Sequence, residues 1–247
     1  MNEQKFTGKA DLYEKFRPSY PNELIDFLYD NARCEAVADI GAGTGKFTRC
    51  LLKKPWSVTA VEPNADMRER LSEIAGITVV NAPAEDTGLA EHSFGLVTAA
   101  QAFHWFDAER FKNECRRILT EGGKLAVIWF STNNEEGLGK LQMEVCNKFC
   151  LDLIINQGHA GKRSAEEGDR FLRGGYFSEL KTADFSGERV FDRESFIGET
   201  LSRSYAPKPG QPNYERFTEE LGAAFDEFES GGKAAVKTLT TVYLGRL

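Results

Sequence analysis

A chain of 247 residues is long enough to bury a sizeable core within one domain, and 41% hydrophobic with 28% charged residues is an ordinary globular composition. The formal net charge of −7 argues against nucleic acid or an anionic membrane as partner, since both attract positive fields. No apolar run approaches the roughly 20 residues of a membrane span, and Met1–Lys5 has no apolar signal core, so a cytoplasmic location is expected. Five scattered cysteines fit a reducing compartment. Cys146 and Cys150 have no His or Cys pair nearby to complete a site, so they are read as core residues and no metal is expected.

In chain order, the first 20 residues are polar with embedded aromatics (Phe6, Tyr13, Phe16, Tyr20), broken by Pro18 and Pro21. Pro21 suits the first position of a helix whose apolar face is Leu24, Ile25, Phe27 and Leu28, ending near Asn31. From Ala36 strands and helices alternate. Ala36–Ile40 reads as a buried strand, followed by Gly41, Gly43 and Gly45 and a helical pattern from Phe47. Ser57–Glu62 is a second strand, and Pro63 starts the next helix, with Met67, Leu71 and Ile74 on one face. Ile77–Val80 and Phe94–Ala100 are the third and fourth strands. Asp107 is placed to cap a helix carrying Phe111, Cys115 and Ile118, which Gly122-Gly123 is expected to end before a fifth strand, Lys124–Phe130. Five strands separated by helices imply a parallel sheet with right-handed crossovers. Residues 132–176 then interrupt the alternation with a polar loop, a helix through Leu138, Leu141, Val145, Phe149 and Leu153, and a Gly- and charge-rich piece. An insertion after a strand's C-terminal end is well sited to roof a pocket. Leu180–Val190 is a sixth strand, two helices follow, and Lys237–Leu244 closes the chain as a seventh, expected to form an antiparallel hairpin with the sixth.

The chemistry gathers at the first turn. Strand, glycine turn and helix bring backbone close to a nucleotide-like ligand, because a Cβ there would block the approach. Glu62 stands at the end of the second strand, 17 residues past Gly45, where an acid beside the turn can accept both ribose hydroxyls. Dinucleotide folds usually carry Gly-x-Gly-x-x-Gly, whereas the spacing here is Gly41-x-Gly43-x-Gly45. That spacing and the closing hairpin favour S-adenosylmethionine over a nicotinamide dinucleotide.

The residues Asp39-Ile40-Gly41-Ala42-Gly43-Thr44-Gly45, Val61-Glu62-Pro63, Ala84-Glu85-Asp86 and Gln101-Ala102-Phe103-His104-Trp105-Phe106-Asp107 resemble those of class I S-adenosylmethionine-dependent methyltransferases, within them the type 11 group. Tyr13-x-x-x-Arg17-Pro18-x-Tyr20-Pro21 is similar to a segment of the branch that includes trans-aconitate methyltransferase. The resemblance implies an α/β fold: a seven-stranded, doubly wound, mostly parallel Rossmann-like sheet with an antiparallel last strand and a helical cap insertion. It also implies one domain over 1–247, with an N-terminal lid at 1–35, a cofactor-binding core at 36–131, the cap at 132–176 and C-terminal strands and helices at 177–247. S-adenosylmethionine would be the cofactor. Gly41 and Gly43 would let backbone approach its methionine and ribose, Asp39 would orient the loop, and Glu62, next to Pro63, would hold the ribose. Ala84 and Glu85 would flank the adenine, Gln101 would lie beside the reactive methyl, and Tyr13 and Arg17 would form part of the lid. Two positions depart from the pattern. Pro83 stands where relatives often carry an Asp that meets the adenine amine, and Gly95 replaces a common Asp in the fourth strand, a change expected to concern structure rather than chemistry.

Because a sulfonium already activates the methyl group, the protein mainly has to align an acceptor lone pair behind it. A carboxylate needs no base, whereas an alcohol or phenol usually does. His104 is the candidate base, with packing in the pocket wall as the other reading, and Phe103 and Trp105 read as aromatic packing around cofactor or substrate. The fourth strand is not followed by the Asn/Asp-Pro-Pro-Tyr type of segment used on bases and glutamine, which favours small acids or alcohols. The expected function is therefore O-methylation of a small-molecule carboxylate or hydroxyl by a monomer or homodimer. A C- or N-methyltransferase, a dehydrogenase on a related sheet and a non-catalytic S-adenosylmethionine-binding module stay open as alternatives.

Overall fold

The structure is a computed structural model that describes residues 19–150, 165–203 and 205–247. Helix α1 (Asn22–Ala32) follows Pro21, whose φ of −59° is already helical, and buries Leu24, Ile25 and Leu28. Strand β1 (Ala36–Ile40), helix α2 (Lys46–Leu51), strand β2 (Ser57–Val61), helix α3 (Ala65–Ser72) and strand β3 (Ile77–Val80) form the first half. Strand β4 (Phe94–Ala100), helix α4 (Ala108–Ile118) and strand β5 (Leu119–Thr132) form the second. Helices α5 (Gly137–Phe149) and α6 (Ala165–Phe171), strand β6 (Glu179–Phe191), helices α7 (Arg193–Leu201) and α8 (Tyr214–Phe228) and strand β7 (Ala234–Arg246) complete the described chain.

The strands make one sheet in the order β3-β2-β1-β4-β5-β7-β6. β7 runs antiparallel to both of its neighbours and the other six strands are parallel. The expected β6–β7 hairpin pairing is present, and β7 lies between β5 and β6. Chain order runs outward from β1 to β3 and then returns to β4, so connections diverge between β1 and β4 and open a crevice at their C-terminal ends.

Three boundaries differ from the sequence expectation. The third helix starts at Ala65 rather than Pro63, because the Asn64 side chain accepts the Met67 N–H at 3.0 Å and caps it. Gly122-Gly123 do not end α4: the helix stops at Ile118, and Leu119, buried and paired with Phe94, already begins β5. The two glycines form a bulge within the strand, where a Cβ on Gly123 would stand 2.9 Å from the Thr120 carbonyl oxygen. β6 and β7 are longer than expected, since their pairing continues from Glu179↔Arg246 to Phe191↔Ala234.

Among the described residues, apolar side chains fill three large clusters and a small one of Ala60, Leu71 and Ile74. One sheet face packs on α4 and on Leu172 and Tyr176, and the other packs on α1 and α2. A third core joins α5 to α7 and α8. The insertion at 132–176 therefore divides: α5 packs with the C-terminal helices, whereas Phe171, Leu172 and Tyr176 pack back onto the sheet. Leu153, Tyr13, Arg17 and His159 lie outside the described residues.

Candidate active site

A cleft of about 270 Å³ opens at the C-terminal ends of β1, β2 and β4. The turn after β1 forms its floor, and the three glycines there have three different reasons to be glycine. All hold positive φ: +70° at Gly41, +59° at Gly43 and +86° at Gly45. A Cβ on Gly41 would stand 2.7 Å from the Ala102 Cβ and 3.0 Å from the Phe106 ring. One on Gly45 would stand 2.2 Å from Ile74 Cδ1, so that glycine serves helix packing. A Cβ on Gly43 would meet no atom of the other described residues within 4 Å, so the space over this peptide belongs to the cleft. Of the three, Gly43 is the glycine whose hydrogen-only face is open to the cleft. Such a bare cradle fits a nucleoside cofactor pressed against backbone.

Glu62 binds the turn from the side. Its Oε2 accepts the Gly43 N–H at 2.8 Å and its Oε1 accepts the Asn64 N–H at 2.8 Å. Burial raises its pKa above the ordinary carboxylate value, opposed by these two backbone donors and by Arg68. Each carboxylate oxygen keeps a second lone pair, so an acid fixed in this way can also accept ribose hydroxyls from the cleft.

Asp39 does not line the cleft. It lies beneath the loop, 1% exposed, and accepts hydroxyl hydrogen bonds from Thr48 (2.6 Å) and Thr98 (2.9 Å). It thereby ties β1 to α2 and β4. Burial pushes its pKa up to about 6, against the lowering effect of the two hydroxyls.

The residues expected beside the adenine all line the cleft. Pro63, Asn64 and Met67 line one side, and Pro83, Ala84 and Glu85 the other. Glu85 Oε1 accepts the Asp107 N–H at 2.8 Å, which links this wall to the start of α4. Gln101 lines the third side with Ala100 and Ala102. Its side-chain amide donates to the Phe130 carbonyl, and its backbone N–H donates to the Ile128 carbonyl at 2.9 Å.

The aromatic run after β4 divides. Trp105 and Phe106 line the cleft, whereas Phe103 is 1% exposed and packs among Phe111, Trp129, Phe171 and Tyr176. The expectation that Phe103 surrounds cofactor or substrate is thus corrected: the helical turn Phe103–Trp105 points alternate rings to opposite sides. His104 is half-buried on that turn, with its ring centroid 4.9 Å from that of Trp105, and is not among the residues lining the cleft. Gly95 also has a structural cause, since a Cβ there would stand 2.3 Å from the Cys34 Cβ, leaving no room for the Asp.

Of the residues expected from sequence, Gly41, Gly43, Glu62, Pro63, Ala84, Glu85 and Gln101 meet at one cleft. Sequence reasoning missed Tyr20, Lys46, Phe47, Asn64 and Phe106 as lining. Asn64 and Lys46 adjoin the two motifs and were within reach of that reasoning. Tyr20 reaches the cleft through the packing of its ring on Phe47 (4.8 Å between centroids), which no sequence pattern signals.

A family model described as a methyltransferase domain matches residues 38–127. An uncharacterized methyltransferase of Mycobacterium bovis is 39% identical over 135 residues, covering 54% of this chain and 54% of the relative, so the likeness spans about half the length of each. An uncharacterized methyltransferase of Schizosaccharomyces pombe is 28% identical over 229 residues, 90% of this chain and 86% of the relative. Among solved structures, a candidate type II methyltransferase from Anaeromyxobacter dehalogenans superposes with a TM-score of 0.71 at 27% identity, covering 94% of this chain and 98% of that one. Dinucleotide-binding sheets run 3-2-1-4-5-6. Here an antiparallel β7 separates β5 from β6, which sets the dehydrogenase alternative aside. Residues 38–127 thus match a methyltransferase domain, and the chain as a whole is similar to methyltransferases in sequence and in fold.

Proposed function

We propose that the protein O-methylates a small molecule at a carboxylate or hydroxyl, using S-adenosylmethionine. The observation that carries the cofactor assignment is the pairing of Gly43, bare toward the cleft, with Glu62, whose two oxygens are already oriented by the Gly43 and Asn64 N–H groups. In this reading the floor at Gly41–Gly43 receives the methionine and ribose portion, and Glu62 holds the ribose hydroxyls. Pro63, Ala84 and Glu85 flank the adenine, and Gln101 stands toward the reacting end. When bound, the cofactor's sulfonium supplies an electrophilic methyl group. The chain's task is to hold the acceptor oxygen in line and to exclude water.

Three observations support a small oxygen acceptor. The net charge of −7 disfavours nucleic acid. The segment after β4 reads Gln101-Ala102-Phe103-His104 rather than the Asn/Asp-Pro-Pro-Tyr type. A malonyl-[acyl-carrier protein] O-methyltransferase of Paenibacillus is 26% identical over 162 residues, 59% of this chain and 58% of that protein. A carboxylate is already anionic at neutral pH and needs no base. His104, packed on Trp105, is read as support for the wall. A pH–rate limb that disappears in His104→Ala would instead make it the base.

Calorimetric titration with S-adenosylmethionine, S-adenosylhomocysteine and NAD tests the cofactor. Binding of the first two without NAD is expected, and binding of NAD alone would overturn the assignment. Transfer of labelled methyl to a panel of small acids and alcohols tests the acceptor class. Label found only on amines or carbon centres would refute O-methylation.

A further inference from the structure

Two non-glycine residues among those described hold φ in the left-handed region, His92 at +50° and Gln101 at +55°. His92 lies in the exposed turn before β4, whereas Gln101 stands in the cleft wall. A side chain in that region is strained, and the strain persists only where the surroundings over-determine it. For Gln101 they do. Its backbone N–H donates to the Ile128 carbonyl, and its side-chain amide donates to the Phe130 carbonyl. A carbonyl can only accept, so the amide nitrogen must be the end that faces β5.

The residue that follows explains what this clamp secures. Ala102 lies against the hydrogen-only face of Gly41, where a Cβ would stand 2.7 Å from its own. The glycine turn therefore rests on a surface whose position depends on the unusual backbone at residue 101. We propose that Gln101 is a positioning residue. By clamping to the end of β5 it holds the left-handed turn that sets Ala102 against Gly41, and so fixes the cofactor floor without its own side chain touching the cofactor. The inference rests on the cofactor reading above.

Glycine adopts φ near +55° without strain and alanine does not, so the two substitutions separate this role from direct contact. The test is calorimetric titration of the full chain with S-adenosylhomocysteine. Gln101→Ala is expected to raise Kd about tenfold, and Gln101→Gly to stay within about threefold of the parent protein. Equal losses in both variants would mean that the amide itself meets the ligand, and a wild-type Kd in Gln101→Ala would mean that residue 101 has no role; either result overturns the proposal. Should Gln101→Ala fail to fold, Gln101→Asn takes its place. Asn tolerates the left-handed region but is one methylene shorter, and it is expected to match Gln101→Gly, a tenfold loss in both refuting the positioning role. If the parent protein itself does not bind S-adenosylhomocysteine, the cofactor reading fails instead, independently of any variant.

Discussion

Replacing Glu62 by Gln is nearly isosteric, and on shape alone it looks mild. The geometry makes it severe. Both carboxylate oxygens face backbone N–H donors, Gly43 on one side and Asn64 on the other, each at 2.8 Å. An amide has one acceptor end and one donor end, so either orientation of Gln opposes an N–H to an N–H. Glu62 is 7% exposed, and water cannot readily repair the mismatch. A buried donor left without an acceptor costs about 1–3 kcal/mol. If the turn shifts to avoid that cost, the cradle at Gly43 moves and the ribose loses an acceptor. At about 1.4 kcal/mol per decade, affinity for S-adenosylhomocysteine should fall roughly 10- to 100-fold, measured by calorimetry with circular dichroism confirming the fold. Glu62→Ala, which removes both acceptor oxygens along with the charge, should lose at least as much. A Glu62→Gln protein that is folded and binds with the parent affinity would refute both the role of the carboxylate and its placement.

The glycine turn gives a paired test. Gly43→Ala should lower Tm by only a few degrees, reflecting roughly 1–2 kcal/mol of left-handed strain, yet should sharply weaken cofactor binding. Gly45→Ala adds overlap with Ile74 to that strain and should cost roughly 2–5 kcal/mol in urea unfolding; if the two variants proved equally stable, the packing assignment would fall. Asp39 has its pKa raised from 3.8 to about 6 in the folded state, so between these values the folded chain binds more protons than the unfolded one. Its protonation therefore contributes stability that is complete below about pH 3.8 and lost as pH rises through 6, up to about 3 kcal/mol. Tm of the parent relative to Asp39→Asn should fall across pH 4–7, and parallel curves would exclude the buried carboxyl as the source. Gly95→Asp should destabilise the protein by collision with Cys34, and Cys34→Gly should restore stability in the double variant; an absence of rescue in thermal melts would mean the collision is not the cause.

Much of the fold was legible because its signals are local. Apolar runs of four to seven residues separated by helical periodicity announced β1 to β4, and Asp107 does cap α4, its side chain accepting the Arg110 N–H at 3.1 Å. The boundaries that moved were those where tertiary pairing overrides a local stop. Leu119 enters the sheet opposite Phe94 before the chain reaches Gly122, and the β6–β7 ladder runs on past the apolar residues that marked it. The division of 132–176 between two cores could not be read either, since α5, α6 and their partners share no sequence signal.

The turn from Asp39 to Gly45, with Glu62 behind it, was readable from sequence alone as a glycine turn beside a strand-end acid, the pattern expected of a nucleotide-type cradle. Positive φ, close backbone approach and an acid at a strand end are properties of residue type and spacing. Which glycine is left open to the cleft was decided only in three dimensions. Among the described residues, the space over Gly41 is filled by Ala102, that over Gly45 by Ile74, and that over Gly43 by nothing. The same holds for the aromatic run, where one helical turn sends Phe103 into the core and Trp105 to the cleft. Sequence spacing specifies what the backbone can do; only the neighbours brought from distant strands decide which side of it is left open.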